Sequence, residues 1–303
     1  MATQNTTVFI PSVTRDDRIG SVFNQLFYVI HETEKGGRIW NFKNDTFLHP
    51  FFLAPLAVFK DTCTYKIQCT GMYDNIKSYL GLVHFEQVYD ASNLKDESEL
   101  GIYYQKSYIP ISRFLIKNKN IDKLQEVLQR VIEVQSGLPD EMRTPLSSLL
   151  SELVGNIGEH SESKYGYLFC QRIKNDLYLI ICDSGKTIYT SYVDSDKYLD
   201  KIGSDEAKAV MMANDGYSTK DLPESSNRGY GISKSRSMIV NGFGGAFFML
   251  SGTAFYRHSL EGINVMNIPE EFRWDGTIVL MRIPTSVPRD FNFYDYVENR
   301  RFV

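Results

Sequence analysis

The spacing of hydrophobic positions in the first part of the chain alternates between two periods. Short apolar runs, which are typical of strands, are separated by longer segments whose apolar residues lie three and four positions apart, the spacing of one helix face. In the segment 19–34, Val22, Leu26, Phe27 and Ile30 follow the helical spacing. The predicted order is strand 8–10, helix 19–34, strand 39–42, helix 50–60, strand 65–70 and helix 75–85. This alternation predicts an α/β domain with a small sheet.

A break follows one further helical segment. Apolar residues return at helical spacing over 122–134, and a Gly-Leu-Pro-Asp sequence around Pro139 then interrupts the pattern. We therefore predict two domains, a smaller N-terminal α/β domain over 1–138 and a second domain over 139–303, with 122–134 as a candidate connector.

Composition narrows the class of protein. The 303-residue chain has a formal net charge of −4 and a pI near 5.8. This balance argues against DNA or RNA as the main partner, because nucleic-acid binding needs a basic surface. No stretch approaches the roughly 18 apolar residues of a membrane span, and the start of the chain does not resemble a secretory signal. The four cysteines lack metal-binding spacing, and scattered reduced cysteines fit the reducing cytoplasm. We therefore expect a cytoplasmic protein without a membrane partner.

The first candidate for chemistry is the helical segment 147–161. Its apolar residues form one face, and Glu152, Asn156 and Glu159 fall on the stripe beside that face. Two carboxylates and an amide on one stripe suit a hydrated cation. The alternative for this segment alone is a surface helix with solvated polar residues.

A second candidate lies at the end of a predicted buried strand. The apolar run 177–182 ends at Asp183-Ser184-Gly185. A buried Asp needs hydrogen-bond donors, and an adenine amino group is one such donor. The same three residues also make an ordinary turn.

A third candidate precedes the next predicted helix. Gly229 and Gly231 stand just before the helical stretch 234–240, where backbone N–H groups and the helix dipole favour phosphate. A flexible loop that caps the helix is the alternative. The remaining predicted elements are a strand over 245–251 and a final strand over 278–283, which Gly276-Thr277 opens.

Taken in order, these segments resemble the N, G1, G2 and G3 boxes of the GHKL (Bergerat-fold) ATPase superfamily. That superfamily includes DNA gyrase B, heat-shock chaperone ATPases, sensor histidine kinases, mismatch-repair ATPases and anti-sigma-factor kinases. The similarity extends over roughly residues 146–284, and the ELVGNIGEHS segment is most similar to the histidine-kinase and anti-sigma-factor-kinase branches. The resemblance implies a C-terminal α/β sandwich, a mixed sheet covered by helices on one face, that binds ATP and Mg²⁺.

The resemblance also implies roles for individual residues. Asn156 would be the Mg²⁺ ligand, and Glu152 would be the general base that activates water. Asp183 would accept a hydrogen bond from the adenine amino group, with Gly185 beside the base and Thr277 near both. The implied nucleotide-binding set is completed by Glu159, His160, Lys220, Arg228, Gly229, Tyr230, Gly231 and Ile232. His160 either touches a phosphate or caps its helix, and Lys220 or Arg228 either reaches the terminal phosphate or is solvated.

One position departs from the family pattern. The second glycine of the G1 box is replaced by Thr187, a β-branched residue that disfavours positive φ. The ATP lid is expected over 186–227, with a short helix over 205–213 that Ser204 caps. The aromatic tail 286–303 is expected to dock on its own domain.

Three functions stay open. An ATPase whose ATP binding and hydrolysis switch a conformation is favoured by Glu152 and is the preferred hypothesis. A serine/threonine protein kinase of the anti-sigma-factor type is favoured by the segment 38–60, which resembles the strand-loop-helix unit of STAS-like domains. The third is an ATP-gated binding module with negligible turnover. A protein partner or a homodimer is expected in each case.

Overall fold

The computed structural model describes residues 6–14, 18–43, 47–93, 97–116, 130–132, 134–135, 137–217, 219 and 231–297. For residues 93, 97, 152, 156, 158–160, 231 and 232 this description covers the backbone only. The predicted connector helix 122–134 lies largely outside the described residues.

The N-terminal part folds as the hydrophobic periodicity predicts. Its elements are β1 (Thr6–Phe9), α1 (Ile19–Glu34), β2 (Gly37–Asn41), α2 (Pro50–Thr62), β3 (Gln68–Thr70) and α3 (Asp74–Leu82). The strands form a parallel sheet in the order β1-β2-β3. The α2 helix is apolar on nearly all sides, and its N-cap is His49, whose Nδ1 accepts a hydrogen bond from the Phe51 N–H at 3.1 Å. A helix that is apolar all round must be covered on more than one side.

The second sheet is larger and mixed. Its strands are β4 (Tyr89–Asp90), β5 (Tyr108–Leu115), β6 (Tyr165–Ile173), β7 (Asp176–Asp183), β8 (Ala246–Gly252), β9 (Ala254–Ser259), β10 (Gly262–Asn267) and β11 (Trp274–Pro284). Their order is β10-β9-β8-β11-β7-β6-β5-β4, and the pairings are antiparallel except for the parallel pair β4–β5. The chain is therefore a mixed α/β protein, as predicted.

Helices cover both faces of this sheet. The later helices are α4 (Asp140–His160), α5 (Ile188–Ser195), α6 (Leu199–Ile202), α7 (Glu206–Asn214), α8 (Gly231–Ser237), which continues into a π-helical segment (Met238–Gly242), and α9 (Tyr294–Val297). The buried face of α4 and the π-helical segment pack on one sheet face, on the side of Leu179 and Met249. The opposite face, on the side of Tyr178 and Phe248, packs against α1 and α2. Sequence reasoning anticipated the first helical layer but not the second.

The large sheet also crosses the boundary predicted near Pro139. The β5 strand pairs with β6 along most of its length, so residues from both sides of Pro139 share one hydrogen-bonded sheet. A polar contact also joins the two sides, because the Tyr167 hydroxyl on β6 donates to the Asp61 carboxylate at 2.9 Å, and Asp61 in turn pairs with Arg113 on β5 at 3.1 Å.

Three details of the C-terminal part refine the predicted elements. The hairpin of β9 and β10 was not anticipated. The helix that follows the glycine segment continues to Gly242, and Gly244, at φ +68°, then reverses the chain with its N–H bonded to the Val240 carbonyl at 3.1 Å. The described part of the aromatic tail, residues 286–297, docks on its own domain as predicted, since the Phe291 and Phe243 rings stack with centroids 4.4 Å apart.

Candidate functional site

Asp183 is an acidic residue buried in the core. It ends β7 with only 2% of its surface exposed, and its carboxylate Oδ1 accepts the Gly185 N–H at 2.8 Å. The Thr277 N–H also donates to this carboxylate. Burial raises the pKa of Asp183 to about 7, and the two backbone donors offset only part of that shift. The carboxylate is therefore held by neutral donors rather than by a cation within the described part of the chain.

Three backbone segments converge on this carboxyl group. Gly185 lies so close to the end of α4 that a Cβ placed there would meet the Ser161 carbonyl oxygen at 2.0 Å. Gly276 has φ +94° at an irregularity in β11, and a Cβ there would lie 2.4 Å from the Asp183 carbonyl oxygen. Glycine is required at both positions for steric reasons. The Trp274 Nε1 donates to the same Asp183 carbonyl at 2.9 Å, which anchors the turn.

A network of hydroxyl groups joins β8 and β11 at the same end of the sheet as Asp183. Ser251 Oγ, which is buried at the end of β8, donates to the Gly276 carbonyl at 2.9 Å and lies 3.1 Å from Thr277 Oγ1. It also accepts the Ile188 N–H, at 2.9 Å, from the first residue of α5. Sequence reasoning did not assign a role to Ser251 or Trp274. The only available signal was a polar residue at the end of an otherwise apolar strand.

The structure brings Asp183, Gly185 and Thr277 together, as the resemblance implies. For the other predicted residues, the structure either describes the backbone alone or does not describe the residue. Those of the first segment, Glu152, Asn156, Glu159 and His160, belong to α4, and their side chains lie outside the described residues. Gly231 and Ile232 begin α8, which packs against α4. Lys220, Arg228, Gly229 and Tyr230 lie outside the described residues.

The Thr187 departure has a local physical reason. Thr187 has φ −70° and is the N-cap of α5, where its Oγ1 accepts the Thr190 N–H at 3.1 Å. Because the chain enters a helix here with negative φ, this position does not need the conformational freedom of glycine. A β-branched hydroxyl residue is a favourable cap in that conformation.

The predicted lid contains more regular structure than its polar composition suggested. The helices α5, α6 and α7 share a small core formed by Tyr192, Ile202, Ala209 and Met212. The short helix predicted over 205–213 is present as α7, but the predicted cap is wrong. Asp205, not Ser204, caps it, because the Asp205 carboxylate accepts the N–H groups of Ala207 at 3.0 Å and Lys208 at 3.3 Å.

The start of α7 is also tied to the large sheet. The Glu206 carboxylate accepts hydrogen bonds from the Thr253 N–H at 2.5 Å and the Thr253 hydroxyl at 2.7 Å, and it pairs with Arg273 at 3.2 Å. This part of the predicted lid is therefore fastened next to the candidate site rather than extended into solvent.

The wider comparisons leave the site to be interpreted from its geometry. No protein-family model matches the chain, and no curated protein matches it. Within the described ranges, no helix is long and apolar enough to cross a membrane. The same ranges contain no group of three or more His, Cys, Asp or Glu residues that could hold a metal ion.

Proposed function

We propose that the chain binds Mg²⁺-ATP at the end of the large sheet where the central strand β7 finishes with Asp183. We further propose that ATP binding and hydrolysis switch the conformation of the chain. The site would lie between the end of α4, the Asp183–Gly185 turn, the start of α8 and Gly276–Thr277. The preceding residues of α4 would supply the Mg²⁺ ligand Asn156 and the general base Glu152, as the resemblance implies.

The observation that carries this proposal is the environment of Asp183. A buried carboxylate without a cation costs free energy unless strong donors reach it, and here two backbone N–H groups do so. An adenine amino group would supply a further donor to this carboxylate. The glycines beside it let the end of α4, the Asp183–Gly185 turn and β11 approach one another closely, because a Cβ at either position would meet backbone atoms.

The base specificity of nucleotide binding tests this assignment. ATP presents an amino donor to the carboxylate, whereas GTP presents a carbonyl acceptor at the same ring position. In calorimetric titrations we expect wild type to prefer Mg²⁺-ATP to Mg²⁺-GTP. We expect Asp183→Asn to weaken ATP binding by roughly 10- to 100-fold, the effect of one hydrogen bond to a charged group, and to reduce the preference for ATP.

Asp290→Asn, the same change at an exposed tail residue, is the matched control and should leave both affinities unchanged. Equal affinity of the wild type for ATP and GTP would contradict the role of Asp183. So would an unchanged preference for ATP in Asp183→Asn.

The fate of the γ-phosphate separates the three activities that remain open. Hydrolysis as the switch requires that Glu152→Ala retain ATP binding and lose phosphate release, while Asn156→Ala weakens Mg²⁺-dependent binding. Turnover that is unchanged in Glu152→Ala but abolished in Asn156→Ala would contradict it. Transfer of labelled γ-phosphate to a protein would identify the kinase, and binding without release or transfer would identify the gated module.

A further inference from the structure

A cavity of about 440 Å³ lies on the sheet face opposite the candidate nucleotide site. Its floor is formed by four adjacent strands, with Tyr178 on β7, Arg282 on β11, Phe248 on β8 and Arg257 on β9. The strand pairings place these residues side by side, since Arg282 is the partner of Tyr178 and Phe248 is the partner of Arg257. The first turns of α1 and α2 form its other wall.

The size and lining of the cavity fit a small molecule. Binding pockets for small ligands typically occupy about 300–1,000 Å³ and combine apolar walls with a few polar groups. Here the apolar wall is aromatic: the Phe51 and Tyr178 rings meet at 74° with centroids 5.2 Å apart, and Phe51 lies 6.0 Å from Phe248. Such a wall can contact a flat ring through edge-to-face or offset-stacked geometry.

Two arginines supply the positively charged groups of the lining. Arg282 lies 3.9 Å from Asp176, too far for a hydrogen bond, and its guanidinium has no hydrogen bond to another described side chain. Arg257 pairs with Glu261, whose side chain is 80% exposed in the turn between β9 and β10. An ion pair this exposed is weak, so Glu261 can release Arg257 to an incoming anion at little cost.

We propose that this cavity is a second ligand site, for a small organic anion that carries one carboxylate or phosphate group on a flat aromatic body. Arg282 binds the anionic group, Arg257 assists it, and the ring packs against Phe51, Tyr178 and Phe248. The lining holds two arginines and two carboxylates, so it has no net charge to hold a polyanion. A carboxylate, which carries a single charge, is therefore a better match than a phosphate, which carries roughly 1.5 to 2 negative charges at neutral pH.

The proposal is independent of nucleotide binding. The cavity lies at the start of β7, whereas Asp183 ends the same strand, seven residues further on. The nearest lining residue on β7, Tyr178, is five residues from Asp183, which at about 3.4 Å per residue separates it from the nucleotide site by roughly 17 Å along the strand. A ligand in the cavity would also touch α1 and α2, so it would bridge the N-terminal elements and the large sheet.

Ligand-observed NMR and calorimetry on the full chain can test this site with defined probes. The probes are phenylacetate, phenyl phosphate and the neutral analogue benzyl alcohol. We expect at least one of the two anions to bind the wild type at least tenfold more tightly than benzyl alcohol. Comparison of the two anions tells whether a carboxylate or a phosphate is preferred.

Variants assign the binding to the cavity. Arg282→Gln should weaken anion binding at least tenfold, and Arg257→Gln should weaken it less and serves as a second variant if the first does not fold. Arg289→Gln, the same change at an exposed tail residue, is the matched control and should bind the probes as the wild type does. Asp183→Asn should also retain anion binding, which separates this site from the nucleotide site.

Several outcomes would overturn the proposal. These are equal affinity for the anions and benzyl alcohol, an unchanged affinity in folded Arg282→Gln, and equal losses in Arg282→Gln and Arg289→Gln. Absence of anion binding to the wild type at millimolar concentration would overturn it as well.

Discussion

At the scale of single residues, Asp183 links the stability of the protein to pH. Burial raises its pKa from 3.8 to about 7, so the folded chain binds this proton more tightly than the unfolded chain does. The free energy of unfolding therefore falls as the pH rises from about 4 to 7, because an ionised carboxylate is disfavoured in the folded protein. The Asp183 carboxylate, which is suited to accept a hydrogen bond from a ligand, thus lowers the unfolding free energy of the ligand-free protein near neutral pH.

This linkage gives a measurable prediction. Between pH 5 and pH 8 we expect the wild type to lose about 2–3 kcal/mol of unfolding free energy relative to Asp183→Asn, using ~1.4 kcal/mol per pKa unit. Urea unfolding of both proteins at several pH values measures the difference. Parallel pH profiles for the two proteins would show that the Asp183 carboxyl group titrates normally.

At the scale of elements, the start of α5 gives a structural reason for Thr187, the residue that departs from the GHKL sequence pattern. Thr187 caps the helix through its hydroxyl, and its buried side chain packs beside the candidate site. Replacement by valine keeps the size and branching but removes the acceptor, so we expect Thr187→Val to lower the unfolding free energy by about 1–2 kcal/mol.

Thr187→Ser retains the cap and is the matched control for the hydroxyl group. We expect it to be more stable than Thr187→Val in urea unfolding, although it loses a buried methyl group. A Thr187→Val variant as stable as the wild type would contradict the contribution of the cap.

At the scale of the whole molecule, the N-terminal elements and the large sheet share one core. The α1 and α2 helices cover one face of the large sheet, and β5 extends its edge. A protein with one continuous core unfolds in a single cooperative step when no part of it is stable alone. We therefore expect one transition for the full chain despite the two predicted domains.

The two tryptophans allow a direct measurement, because Trp40 lies on β2 and Trp274 on β11. In Trp274→Phe the fluorescence reports on the N-terminal sheet, and in Trp40→Phe it reports on the large sheet. Within each variant, the fluorescence and far-ultraviolet circular dichroism midpoints should coincide. The isolated fragment 139–303, which lacks β5 and the covering helices, should fail to unfold cooperatively. Separate midpoints, together with a cooperative fragment, would instead establish two independent domains.

The local elements of this protein could be predicted from sequence. The helix 19–34 and the strand ending at Asp183 follow from periodicity, because a helix face and a buried strand are encoded in neighbouring residues. The convergence of Asp183, Gly185 and Thr277 was predicted through the resemblance. ATP binding and the activity built on it stay predictions.

Other features depended on contacts between distant parts of the chain. Only the tertiary structure places β5 in the large sheet and α1 and α2 on its second face, since strand pairing and helix docking join residues far apart in sequence. The same holds for the hydrogen bonds of Ser251 to Ile188 and Gly276. The raised pKa of Asp183 was decided there too, because desolvation depends on everything packed around a group and not on its neighbours along the chain.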